Sequence, residues 1–173
     1  TYDNQRLLSN NNWGQKGVTH DALLVHYRRR GWNVQLGGAF NQSRDTLFST
    51  DYNTSLGNYK ALAFVILSKK LGAFRLSGVS ITDGLQKKNT TNTLYARTTN
   101  GGILAWEQGR FGAALRGYYQ SGQSESGAWI NAWYAGADVN ARLSNALTLS
   151  LGAEWQSGQD STDKTDPHVH HFS

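Results

Sequence analysis

The chain has 173 residues, one proline, no cysteine, and 17 Lys and Arg against 12 Asp and Glu, for a formal charge of +5 with histidines neutral. That length sets a single domain as the expectation, the missing thiols exclude disulfide frameworks, thiolate metal sites and cysteine nucleophiles, and the mild positive balance falls short of a nucleic-acid binder's. The longest apolar run, 61–67, is far below the ~20 residues of a membrane-crossing helix, so a helical membrane protein is excluded.

Nineteen glycines, six Trp, eight Tyr and six Phe suit short strands and tight turns better than helices. In chain order, a weak strand over 18–28 meets a short turn at 29–31. Over 32–40, Trp32, Val34, Leu36 and Phe40 oppose Asn33 and Gln35, the period-two signature of a strand with unlike faces. A long loop, 43–56, leads to a weak strand at 59–68 and a short turn at 69–72. The segment 73–83 changes parity: Phe74 and Leu76 lie on one face, Val79 and Ile81 on the other, which predicts a bulge near Gly78 or a misread register. A long loop at 84–92, a weak strand at 93–106 and a short turn at 107–110 follow. Clear alternation returns over 111–121, where Phe111, Ala113, Leu115 and Tyr119 oppose Arg116, Tyr118 and Gln120. It recurs over 133–142 and, after a short turn at 143–146, over 147–157; 122–128 is a connection of medium length, and the chain beyond 157 is polar. The pattern predicts eight strands in four hairpins with every tight turn on one side. The hairpins repeat about every 40 residues, but a propeller blade of that length needs four strands and its own signature, and neither is present.

A soluble sandwich would also alternate, so the aromatics decide between faces. Trp32, Phe74, Trp106 and Phe111 lie beside short turns, whereas Phe40, Tyr119, Trp129 and Trp155 lie toward the long loops. Two aromatic girdles bounding an apolar band, over a polar opposite face, are the pattern of an outer-membrane barrel. The polar faces carry Asn33, Gln35, Arg75, Arg116, Gln120, Asn140, Arg142, Ser150, Glu154 and Gln156, which a dry core would leave without partners. The fold class expected is therefore all-β, an antiparallel transmembrane β-barrel of the outer-membrane type with about eight strands in this chain. A soluble β structure stays open as the alternative.

At the N-terminus, Tyr2-Asp3-Asn4-Gln5-Arg6-Leu7, then Asn12-Trp13-Gly14-Gln15, then Thr19-His20-Asp21-Ala22 resembles the Tyr-Asp-x-x-Arg, Asn-x-x-Trp-x-Gln and Thr-x-Asp-Ala pattern of the bacterial alginate-export family of outer-membrane porins. The match covers about twenty residues. The resemblance implies a loop folded toward a pore, with Tyr2, Asp3, Trp13, Gln15 and Asp21 as its motif. Arg6 becomes a pore-proximal cation, and Asp3 and Asp21 become carboxylates that anchor the loop or gate charge. It implies export of an anionic polysaccharide along a basic conduit and a location in the bacterial outer membrane. The family's barrels exceed eight strands, so residues 1–173 are expected as one β-barrel domain or a fragment of one, with 1–17 a loop entering the first strand and 157–173 a loop. A complete eight-stranded barrel remains the other possibility.

The side chains expected to carry function are lumen-facing: Arg75, Arg97, Arg116 and Arg142, together with Arg6. Rings of Arg or Lys lower the barrier for anions in pores. The opposing reading pairs them with Asp138, Glu154 and Asp83 to hold a plugged wall together. Arg28, Arg29, Arg30, Lys69 and Lys70 occupy tight turns, where they either meet anionic head groups or merely solubilise the turn. Scattered loop aspartates lack a calcium-loop pattern, and His168, His170 and His171 lack a further ligand at fixed spacing, so neither a metal nor a cofactor is expected. No Gly-x-Ser-x-Gly elbow, His-Glu-x-x-His or phosphate-cradling loop occurs, so no enzyme is expected either. The expectation is a porin or export channel for anionic or polar saccharides, with outer-membrane lipid, an anionic saccharide and other outer-membrane proteins as partners and no nucleic acid. The alternative is a closed barrel that acts as an outer-membrane anchor or as a subunit of a surface complex.

Overall fold

The computed structural model describes residues 22–41, 59–87, 93–158 and 168–170. They form an all-β antiparallel sheet without helices: β1 (Ala22–Arg29), β2 (Trp32–Phe40), β3 (Tyr59–Leu71), β4 (Phe74–Gln86), β5 (Leu94–Gln108), β6 (Phe111–Gln123), β7 (Trp129–Arg142), β8 (Thr148–Gln156) and the two-residue β9 (His168–Val169). Strands β1 to β8 pair strictly in chain order. The sheet is open: among the described residues no pairing joins β1 to β8, so the closure expected of a barrel is not made within it.

Three of the four hairpins close through two-residue turns. Arg30 and Gly31 both take positive φ, 49° and 77°, the type I′ pattern. Gly72 and Gly109 hold the first position of their turns with φ of 60° and 62°, the type II′ pattern, and both turn types match the right-handed twist of the strands they join. These tight turns fix the register. It runs without interruption through β4, from Phe74 opposite Leu71 and Trp106 to Leu85.

That register corrects the expectation of a bulge near Gly78. The one shift in this region lies between Tyr59 and Ala61 on β3. The change of parity in β4 is real, but it reflects a change in what each face touches. Val79, Ile81 and Leu85 share the inner face with Ile66 and Phe64 across β3, while Ser80, Thr82 and Gly84 take the outer face. The loop expected to start at 84 begins later, because β4 continues to Gln86. β7 likewise begins at Trp129, four residues before the alternation becomes legible. The expected loop over 157–173 contains β9, which pairs in parallel with Trp129 and Ile130 where β8 stops short. Ser157 makes the join: its N–H donates to the Trp133 carbonyl, and its Oγ accepts from the Trp133 N–H and donates to the His170 carbonyl.

The two faces differ sharply. The outer face carries Leu23, Val25, Trp32, Leu36, Val65, Leu67, Leu76, Leu104, Leu115, Val139, Leu149 and Leu151, all exposed; Leu151 is 73% exposed and Trp155 60%. Among the described strand residues, every exposed large hydrophobic lies on this face except Leu24 at the β1 edge. A contiguous apolar face of this extent is rare on a soluble monomer and marks a surface that meets lipid or protein. The inner face holds what core there is: Phe64, Ile81, Leu85, Tyr118, Ile130 and Tyr134 are buried there. Two of these rings approach the glycines directly opposite them closely, Phe64 at Gly37 and Tyr118 at Gly101. A Cβ at either glycine would run into the ring. Burying each of these aromatic side chains contributes about 1.5–3 kcal/mol.

Candidate functional site

Because opposite residues share a face, the inner surface can be followed across strands row by row. Nearest the tight turns, Lys70, Arg75, Ala105, Ala114 and Asp138 form one row. The next holds Arg28, Asn33, Ser68, Ser77, Ile103, Arg116, Gly136 and Glu154. Arg75, Arg116, Asp138 and Glu154, four of the expected pore-lining residues, thus come together on two adjacent levels of β4 and β6 to β8. Arg75, Glu107, Arg116, Asp138 and Asn140 line an open depression of about 190 Å³.

Arg116 Nη2 donates to Asp138 Oδ1. The two are diagonal neighbours, since Arg116 faces Gly136 and Asp138 faces Ala114, a separation that long side chains bridge. Gly136 also leaves room for the Tyr134 hydroxyl, which crosses above it to donate to Glu154 Oε1 at 2.9 Å. Arg142 is exposed at the end of β7, opposite Thr148, on the inward parity expected of it. Arg97 lies apart from this group. It faces Asp83 directly across β4 and β5, and its Nε and Nη2 donate to both carboxylate oxygens at 2.9–3.2 Å. Side-chain exposures of 26% and 11% make this a half-buried fork pair.

The inner face therefore divides along the strand axis. Toward the tight turns it is open and charged, with Arg28, Lys70, Arg75, Arg116 and Arg142 against Glu107, Asp138 and Glu154. Toward the long loops it is dry, with Gln120 donating to the Thr99 hydroxyl at 3.0 Å beneath the aromatic layer. No described buried side-chain nitrogen or oxygen lacks a hydrogen-bond partner. Such an arrangement can hold an electrostatic field over a wet surface.

Arg6, Tyr2, Asp3, Trp13, Gln15 and Asp21 lie outside the described residues. The sequence reading places Lys70 among the turn cations, not in the lumen, and gives Glu107 no role, because both fall in segments read as turns, where parity is not applied. Tyr134 was read as part of an alternating strand, and its contact with Glu154 depends on the β7–β8 register. Among the described residues no group of three or more His, Asp or Glu converges as a metal site. No described helix is long and apolar enough to cross a membrane, which says nothing about a crossing by strands. No protein-family model, curated protein or solved structure matches the chain.

Proposed function

We propose that the chain forms wall of a transmembrane β-barrel in a bacterial outer membrane, and that this barrel is a porin or export channel passing anionic or polar saccharides by passive diffusion. One observation carries the reading: an exposed apolar face runs across eight strands, back to back with an inner face that is charged and open toward the tight turns. Over 111–119 the outer side of β6 is apolar for about the 9–11 residues a tilted strand needs to cross hydrocarbon. In lipid, the free edges of β1 and β8 must be covered, by each other or by further strands, because no water is there to satisfy them. The resemblance of the N-terminal segment to the alginate-export family supports an anionic polysaccharide as cargo.

In this reading no bond changes. The protein contributes a radius and a field, the field coming from Arg75, Arg116, Arg142 and Lys70. Planar-bilayer recordings test it: conductance should prefer anions, the preference should fall as salt rises, and R116Q/R142Q should weaken it. Unchanged selectivity in that variant would remove the electrostatic mechanism.

A second reading, a closed barrel acting as anchor or as subunit of a surface complex, draws on a different observation. The inner face toward the long loops is packed and dry around Phe64, Tyr118 and Tyr134, and Arg97 and Arg116 are each held by a carboxylate. It predicts negligible conductance and a co-purifying partner protein.

A further inference from the structure

The outer corner where the β1–β2 turn meets β3 is unlike the rest of the tight-turn rim. Arg29, Trp32 and Lys69 stand in one outward row, with Arg29 opposite Trp32 and Trp32 opposite Lys69, and Arg30 occupies the turn beside them. Lys69 Nζ lies 4.8 Å from the centre of the Trp32 ring and donates to the Arg30 carbonyl at 2.9 Å. These contacts fix one ammonium above an indole and against the backbone of the turn that carries Arg30, with Arg29 in the same outward row. Among the described residues, Arg29, Arg30 and Lys69 form no ion pair with a carboxylate. Three cations on one corner with no carboxylate partner among the described residues attract an anion.

The backbone supplies an independent sign. Arg30 is the one described non-glycine residue with positive φ, at 49°. This left-handed region disfavours side chains with a Cβ, and type I′ turns commonly place Asn, Asp or Gly there. Arginine at this position keeps a charge at the expense of backbone strain, and strain of this kind gathers at ligand clamps. Around the corner the outer face is apolar: Val34 and Leu67 pair one outward row further along, Leu76 stands opposite Lys69 on its far side from β2, and Leu71 follows Lys69 on β3. A cationic clamp over an indole, opening onto an apolar wall, is complementary to a molecule with an anionic head and hydrocarbon tails.

We infer that this corner is a binding site for an anionic phospholipid, with the phosphate held by Arg29, Arg30 and Lys69, the Trp32 ring at the head-group level and the acyl chains along Val34, Leu67 and Leu71. The inference rests on the reading of the outer face as lipid-facing and adds a specific head-group chemistry to it. Lys or Arg near an anionic bilayer surface attracts it in proportion to their number, so three together give a preference on the order of tenfold or more.

The test uses the full chain reconstituted in phosphatidylcholine vesicles doped with spin-labelled phosphatidylglycerol or spin-labelled phosphatidylcholine, with the immobilised fraction giving the relative association. The expected result is at least a tenfold preference for phosphatidylglycerol, falling to within about twofold in R29Q/R30G/K69Q. Arg30→Gly alone relieves the φ strain, so it should fold at least as well as the parent while losing part of the preference. That separates lost charge from lost structure. Equal association of both lipids with the parent protein, or a preference that survives the triple substitution, overturns the site while leaving the membrane reading intact. Failure to associate with either vesicle overturns the membrane reading and this inference with it.

Discussion

On β4 to β6 the halves on either side of the Val79 and Tyr118 level change polarity, whereas β3 and β7 keep apolar side chains outward toward the long loops, Val65 on β3 and Trp129 and Trp133 on β7. Toward the tight turns, apolar side chains such as Phe74, Leu76, Leu104, Phe111 and Leu115 face outward, and Arg75, Arg116 and Asp138 face inward. Toward the long loops, Ile81, Leu85, Ile130 and Tyr134 are buried inside, while Ser80, Thr82, Thr98, Asn100 and Ser121 turn outward on β4 to β6, with the Thr82 and Thr98 hydroxyls 3.0 Å apart. One continuous sheet thus serves two environments. The half near the tight turns presents grease outward and charge inward, as a wall between lipid and water does. On β4 to β6 the half near the long loops presents polar groups outward and a buried layer inward, while Phe40, Trp129, Trp133 and Trp155 keep the outer face of the flanking strands aromatic there. Strands β4 and β5 have 13 and 15 residues against the roughly 9–11 needed to cross hydrocarbon, so under the proposed function the excess length stands clear of the bilayer.

The contrast can be broken most forcefully in the dry half. Arg97→Leu leaves Asp83, 8% exposed, without its fork partner, and should destabilise the fold by about 2–4 kcal/mol in urea titration; Asp83→Leu added to it should restore most of the loss, because an absent pair costs less than a half-removed one. The same pair of substitutions centred on Arg116 should cost less, since Arg116 and Asp138 are more exposed, at 26% and 31%. Next in size are the glycines. At Gly101 a Cβ collides with the Gly117 carbonyl and the Tyr118 ring, so Gly101→Ala should destabilise by about 1–3 kcal/mol. At Gly117, on the outer face, a Cβ meets nothing within 4 Å, and Gly117→Ala should change stability by less than about 0.5 kcal/mol. Smallest is the functional effect: R116Q/R142Q should reduce anion preference a few-fold, with little change in thermal stability.

The same division explains what the sequence made legible. Over 111–121 and 147–157 each parity keeps one character, and the strands could be read at once. In β4 the character swaps midway, so Val79 and Ile81 looked like a slipped register when the backbone runs straight. At the start of β7, Trp129 and Ile130 point to opposite faces and are both apolar, which erased the alternation, and β9 comes from a polar stretch with no strand signal. The inward parity of Arg75, Arg97, Arg116 and Arg142 was readable from period two alone. Which carboxylate each meets was not. Arg97 finds Asp83 straight across, and Arg116 finds Asp138 on the diagonal, and both relations belong to the β4–β5 and β6–β7 pairings, whose connections are longer than a two-residue turn, so no turn type sets their register in advance.

The proposed function stands on hydrocarbon covering the outer face near the tight turns and water covering the polar outer positions of β4 to β6 near the long loops. A lysine scan of two outward positions, Leu115 and Thr82, measured by reversible unfolding from phospholipid vesicles, compares them directly. Leu115→Lys should cost about 2–4 kcal/mol and Thr82→Lys no more than about 1, following the depth dependence of charge on a lipid-facing barrel surface. Losses below about 0.5 kcal/mol at both positions would contradict a bilayer on this face.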